Sequence, residues 1–494
     1  MLDQPTATMH YPVTGRAFGL PILVLSGLNL MVVLDGTVAI FAIPKLQEDL
    51  GLSSSASAWT VTAYGLPFAG LMLLGGRLGD AFGRKRMLIL GVSLFTLASA
   101  LCGLAQNEWM LVAARGMQGT AAAIAAPTAM ALVASTFAPG KPRTQAMAIF
   151  GSMMGLGSVG GLVVGGALTQ VSWRWIFLIN VPIGVLVAIG AISQLRDTDH
   201  HRLTLDVRGA VLATVGCTGI VFGATEGPWL GWDSWIVLGS FVIGLLLLVV
   251  FVFAEQHVDN PLLPWSLFSS RDRVITLLSI VITGAAMGAM TFFVAQFLQN
   301  VLGYTPLGAG LRAIPFTLAI GAGSALSSKL ALMVAPRWLL SGSAAGLAVG
   351  LLIASTLGPG VSYPTTLLPL LLVIGFGVGM VIVVVPLCLL VGVPPNNIGP
   401  LAAIGQMAFE IGAPLGVGIM TPVAVSRTLS MGGRVGKAST MNHDEIVALS
   451  SGYTLVLFVC GLMAIVVGLI VLTLRFTPAQ LAEAHHNQEE AAQA

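Results

Sequence analysis

The polarity of this chain changes on a scale of about twenty residues: long uncharged apolar runs are separated by short segments that hold nearly all the charge. About twenty residues is what an α-helix needs to cross a hydrocarbon layer of roughly 30 Å. Fourteen such runs lie near 20–43, 57–75, 87–105, 109–137, 144–169, 175–195, 209–225, 234–254, 274–299, 308–328, 338–357, 366–392, 397–425 and 452–474. They predict an all-α polytopic membrane protein with 14 transmembrane helices. The first run is too long for the core of a signal peptide and reads as an uncleaved first helix. Composition agrees, since 56% of the 494 residues are hydrophobic and only 9% are charged. A soluble chain of that make-up would lack the polar surface to stay dissolved.

An even number of spans puts both ends of the chain on one side. Loops on that side carry fifteen Lys and Arg: Arg16, Arg77, Arg84, Lys85, Arg86, Lys141, Arg143, Arg196, Arg202, Arg208, Arg271, Arg273, Lys329, Arg337 and Arg475. The opposite side carries six, Lys45, Arg174, Arg312, Arg427, Arg434 and Lys437. Positive charge accumulates in cytoplasmic loops, so both termini are expected in the cytoplasm. The longest outer loop is then about 426–451, and 476–494 form a cytoplasmic tail. Gly76–Leu88 also aligns with Ser328–Leu340 at an offset of 252, placing Arg77 on Lys329, Leu78 on Leu330 and Lys85 on Arg337. That offset equals eight spans. It predicts two six-helix halves, 1–195 and 274–475, two inserted helices in 196–273, and a substrate path between the halves.

Five charges crowd into GGRLGDAFGRKR, Gly75–Arg86, between the second and third runs. So short a connection must turn tightly, and Gly79 and Gly83 permit the angles required. Asp80 lies close to the start of the third helix, where a carboxylate suits the helix dipole and can pair with a neighbouring Arg. Charges inside spans are costlier and therefore functional candidates. Asp35 lies about eight residues, ~12 Å, from the outer end of the first run, and Arg115 about six residues, ~9 Å, from that of the fourth. Their similar depth allows an ion pair, either structural or a proton switch. A dry site favours the neutral acid and a guanidinium favours the carboxylate, so moving Arg115 or admitting water would load or unload a proton. Glu410, one turn from Gln406 in AIGQMAFEIGAPLG, is a third candidate. It offers a second proton site or a contact for a cationic substrate, or it is a neutral carboxyl bonded to Gln406.

The pattern Gly76-x-Leu78-Gly79-Asp80-x-x-Gly83-Arg84-Lys85 resembles the loop between spans 2 and 3 of the major facilitator superfamily. LDGTVAIFAIP (Leu34–Pro44), with Asp35, and Leu111-x-x-x-Arg115-x-x-Gln118-Gly119 resemble the span-1 and span-4 motifs of its drug:proton antiporters. GSMMGLGSVGGLVVGGAL (Gly151–Leu168) is similar to their antiporter motif, with Gly157, Gly161, Gly165 and Gly166 in register and Leu162 where a proline is usual. WRWIFLINVPIG (Trp173–Gly184) resembles the span-6 signature of the fourteen-span, QacA/EmrB-type branch. MLLGGRLGD, LVVGGALT and SRTL look like segments of EfpA-type efflux pumps. The resemblance implies the major facilitator fold, proton coupling through Asp35 and Arg115, and a gating role for Gly76–Lys85.

A cavity for varied lipophilic compounds needs adaptable apolar walls. Trp59, Tyr64, Phe68, Met153, Met154, Met287, Met290, Phe292, Phe293, Gln296 and Gln406 are candidates, each equally suited to helix packing. No phosphate loop, metal cluster or nucleophile constellation occurs, so no cofactor, metal or enzymatic chemistry is expected. Cys102, Cys217, Cys388 and Cys460 are far apart in apolar runs and read as unpaired thiols. The expected function is proton-coupled export of lipophilic or amphipathic compounds, with protons and the bilayer as partners, no nucleic acid, and a single chain sufficing. An exporter of an endogenous lipid or metabolite is the alternative. A nutrient symporter is disfavoured because the spans lack clustered Asn, Gln and charges. A non-transport scaffold would leave Asp35 and Arg115 without purpose.

Overall fold

A computed structural model of the chain describes residues 19–138, 140–195, 206–258, 270–331, 333–393, 395–435, 438–481 and 483. Arg16, Arg196, Arg202, Lys437 and the tail beyond Glu483 fall outside them. Among the described residues fourteen helices are long and apolar enough to span a membrane: α1 (Leu20–Leu50), α2 (Ser55–Phe82), α3 (Arg84–Gly103), α4 (Glu108–Thr136), α5 (Lys141–Val171), α6 (Arg174–Gln194), α7 (Val207–Leu230), α8 (Trp235–Glu255), α9 (Arg271–Val301), α10 (Pro306–Leu330), α11 (Pro336–Ala354), α12 (Tyr363–Leu390), α13 (Leu401–Ser430) and α14 (His443–Val471). Each apolar run has its helix.

The ends differ, because a helix outlasts its apolar part. The 31 residues of α1 measure ~46 Å at 1.5 Å per residue, more than the apolar layer needs. Its last turns hold Lys45 at 3.0 Å from Glu48 and 3.6 Å from Asp49, all half-exposed. The expected Gly75–Arg86 loop is also helical almost throughout, leaving Gly83 alone, at φ 100°, to reverse the chain. Gly79 is not a turn residue. It sits in α2 where a Cβ would stand 3.1 Å from Thr128 Oγ1 of α4, so close packing is what requires glycine there. The outer loop shrinks likewise, since α14 begins at His443. Asn442 caps it by accepting from Glu445 N at 2.9 Å, and Glu445 Oε2 accepts from Asn442 N at 2.8 Å. Asn442→Ala should cost about 1 kcal/mol locally, read as faster amide hydrogen exchange over the first turn of α14 with the rest unchanged. The start of the tail packs back on the helices, with Leu481 buried in a cluster with Val471 and Leu474.

Helix pairing repeats along the chain. The first six helices pack as α2–α4, α3–α4, α1–α5, α3–α6 and α1–α6. The last six pack as α10–α12, α11–α12, α9–α13, α11–α14 and α9–α14, each pair eight helices later. The fold is thus two six-helix halves with an inserted pair, α7 and α8, that pack on each other. The halves meet along α2–α13 and α5–α10, and α7 lies against both α2 and α13. Thr225 of α7 donates to Gly418 O at 3.3 Å, and Ser55 of α2 hydrogen-bonds Glu226 of α7. On the face away from the termini the halves are sealed together: Phe41 and Leu162 share an apolar cluster with Leu298, Ala309 and Leu371, and Ile43 and Ala58 join the core of the second half.

Candidate functional site

Asp35 is the middle residue of α1, which continues beyond the apolar run to Leu50. Arg115 of α4 meets it with Nη1 at 2.5 Å from Oδ2, and both side chains are 1% exposed. Such a pair needs every remaining polar atom satisfied, since neither charge reaches water. Asp35 Oδ1 accepts from Gln118 Nε2 and from Asn180 Nδ2, each at 2.8 Å. Arg115 also donates to Gln118 Oε1 at 2.8 Å and, through Nε, to the Thr60 carbonyl at 2.9 Å. Ser99 joins the two amides, accepting from Gln118 at 3.2 Å and Asn180 at 3.1 Å while donating to Phe177 O at 2.9 Å. Five helices, α1, α2, α3, α4 and α6, therefore share one hydrogen-bonded network around the ion pair. Only donors face the carboxylate, which is the arrangement an ionised Asp requires.

Local structure explains the convergence. α6 breaks at Ile179, and Asn180 opens its second segment fully buried. The Tyr64 ring lies on the Arg115 guanidinium with the centroid 4.3 Å from Cζ, while Phe177 covers it from 5.7 Å. Tyr64 in turn stacks on Phe68 at 5.8 Å. Sequence reasoning missed Asn180 and Ser99. Asn180 was findable as an amide set among apolar neighbours, between Ile179 and Val181, whereas Ser99 left no signal.

The other candidates are scattered. Glu410 of α13 is half-buried and accepts from Gln406 at 2.8 Å, one turn before Pro414, which touches the Gly65 position of α2. Asp80 accepts from Arg84 Nε and Nη2, both at 2.8 Å, and Lys85 donates to Ile192 O of α6 at 2.8 Å. Gly76 lies one turn before Asp80, and Gly83 between Asp80 and Arg84. Gly157, Gly161 and Gly165 form one stripe against Val33, Thr37 and Val38 of α1, whereas Gly166 faces α10, where a Cβ would stand 2.5 Å from Leu307 Cα. Trp59 lies against Phe222 of α7 at 6.1 Å, away from Tyr64 and Phe68. Met154 is exposed and Met153 half-exposed. Phe292 and Phe293 are buried together at 5.0 Å, Phe293 lies 5.6 Å from Tyr453, and Gln296 accepts from Asn300 at 3.4 Å. Met287 and Met290 line a small enclosed cavity inside the second half, with Leu347, Val378 and Met463. Its helices, α9, α11, α12 and α14, are those that stand eight after α1, α3, α4 and α6. Where the first half holds an ion pair, the second half is apolar.

Residues 25–417 match the profile of the Major Facilitator Superfamily. A Mycobacterium tuberculosis protein described as an uncharacterized MFS-type transporter, EfpA, is 44% identical over 97% of this chain and 91% of its own. The puromycin resistance protein pur8 of Streptomyces alboniger is 34% identical over 95% of this chain and 92% of its own. A solved peptide transporter, POT, superposes with a TM-score of 0.65 at 16% identity, covering 93% of this chain and 96% of that one. At that identity the likeness concerns the fold.

Proposed function

Because this chain belongs to the major facilitator superfamily, we propose that it is a proton-coupled exporter of lipophilic or amphipathic compounds, with Asp35 as proton carrier and Arg115 as the group that releases it. The buried 2.5 Å pair in the middle of α1 carries the reading. Two charges so far from water cost several kcal/mol each in desolvation, a cost a purely structural contact avoids by using apolar residues. In the sealed state all donors point at the carboxylate. Protonation puts a hydrogen where a donor stands, so it requires Arg115 to withdraw, and its return expels the proton. A membrane potential of 100 mV supplies about 2.3 kcal/mol per charge moved.

In this reading both termini are cytoplasmic, the halves comprise 1–195 and 274–475, and the face sealed by Phe41, Leu162 and Leu298 is the outer one. Single cysteines introduced at Ser430 and Ala479, with the native thiols replaced, test the orientation with an impermeant thiol reagent. Labelling in intact cells is expected at Ser430 alone, and labelling at Ala479 alone would reverse the topology. Export itself is tested in liposomes holding the purified protein and an imposed pH gradient, offered lipophilic cations, neutral drugs and lysolipids. Accumulation against the substrate gradient should collapse on adding a protonophore. Accumulation that ignores the protonophore would overturn proton coupling, and a response to lysolipids alone would favour an endogenous lipid as substrate.

A further inference from the structure

The walls around the ion pair are not equivalent. Gln118, Asn180 and Ser99 are locked to one another and to Asp35 by hydrogen bonds. Phe177 is fully buried and braced edge-on by Trp173 at 6.3 Å. Tyr64 differs on three counts. Its ring holds the guanidinium only by its face, at 4.3 Å, a contact that can part without leaving a donor or acceptor unpaired. Its own hydroxyl is buried without a hydrogen-bond partner among the described residues, as is Asn180 Oδ1, but the Asn180 side chain is held by two donated bonds and the Tyr64 hydroxyl by none. It also sits on α2 beside the seam between the halves, since the adjacent Gly65 abuts Pro414 of α13. Glu410 stands one turn before that Pro414 on α13, so the ring and the acid of the opposite half border the same seam.

We propose that Tyr64 is the lid of the coupling site: its ring on Arg115 closes the Asp35 cage from the path between the halves, and a shift along the α2–α13 seam lifts it. The proposal rests on the reading of Asp35 as proton carrier. With the lid in place the carboxylate exchanges no proton. With the ring swung towards Glu410, the phenol finds a partner and the path reaches Asp35. Tyr64 is a positioning residue in this scheme and carries no proton itself.

Proton influx into liposomes under an imposed gradient, with no substrate present, tests the lid. Wild type should be tight. Tyr64→Ala should leak at least tenfold faster, because Asp35 would exchange without waiting for substrate. Tyr64→Phe keeps the flat face and should stay tight, with turnover reduced several-fold because the hydroxyl no longer draws the ring away. Adding Asp35→Asn to Tyr64→Ala should abolish the leak, which an indiscriminate structural hole would not allow. Where Tyr64→Ala fails to fold, Tyr64→Leu, bulky but without the aromatic face, decides with the same leak. A folded Ala or Leu variant as tight as wild type, or a leak that survives Asp35→Asn, overturns the lid. Retention of uphill efflux by Asp35→Asn alone would instead overturn the carrier assignment.

Discussion

Asp35→Asn is expected to abolish uphill efflux while substrate still moves down its own gradient. The amide keeps the size of the carboxylate and one acceptor oxygen. Arg115 retains the Thr60 carbonyl and Gln118 Oε1 as partners, but the new NH2 meets a donor, as a protonated carboxyl would, so the variant should lose some stability and resemble the protonated state. The variant has no titratable group at this position, and coupling through it needs one that takes up and releases a proton. Counterflow of labelled substrate in liposomes without a pH gradient should remain within a few-fold of wild type, whereas accumulation driven by the gradient should fall to background. Loss of both would make the pair a structural element of the first half.

Arg115→Met should be the most destabilising single change in the site. It leaves a carboxylate 1% exposed with two amide donors and no counter-charge. Breaking a buried pair from one side costs about 3–5 kcal/mol, much of it from the charge left behind. Combining Arg115→Met with Asp35→Asn removes that charge and should recover most of the loss in thermal stability without recovering coupling. Arg115→Lys keeps a charge but lacks the planar fork that reaches Asp35, Gln118 and Thr60 together, so it should fold better than the Met variant and still transport poorly. A double variant no more stable than Arg115→Met would mean that the pair contributes little by its charges.

What the sequence revealed follows from what is rare in a membrane helix. A charge in an apolar run is conspicuous, so Asp35, Arg115 and Glu410 stood out, and the depth argument brought the first two together. Neutral polar residues are common in spans, and Ser99 looked like any other. Helix ends were obscured because polar helical residues resemble loop residues: Arg77 and Asp80 lie in α2, and Asp444 and Glu445 open α14. The cavity candidates failed to converge for a further reason. Lipid is as apolar as a protein core, so the exposed face of a span looks like its packed face. Trp59 packed against α7, exposed Met154 and partly buried Met287 could not be told apart from Tyr64, which packs on Arg115.

The pairing of helices is shared by the two halves, so the asymmetry between them lies in side chains. The repeat that sets α9, α11, α12 and α14 against one another would allow a second ion pair, yet Met287, Val378 and Met463 occupy that space. The second half offers Glu410 instead, on the seam facing α2. Asp35 and Glu410 are therefore rival carriers in different halves. The most direct test is proton release on adding a transported lipophilic cation to purified protein in weakly buffered detergent solution, followed for wild type, Asp35→Asn and Glu410→Gln. Release should occur in wild type and Glu410→Gln and be absent in Asp35→Asn; full release from Asp35→Asn with none from Glu410→Gln would move the coupling site to α13 and contradict the account.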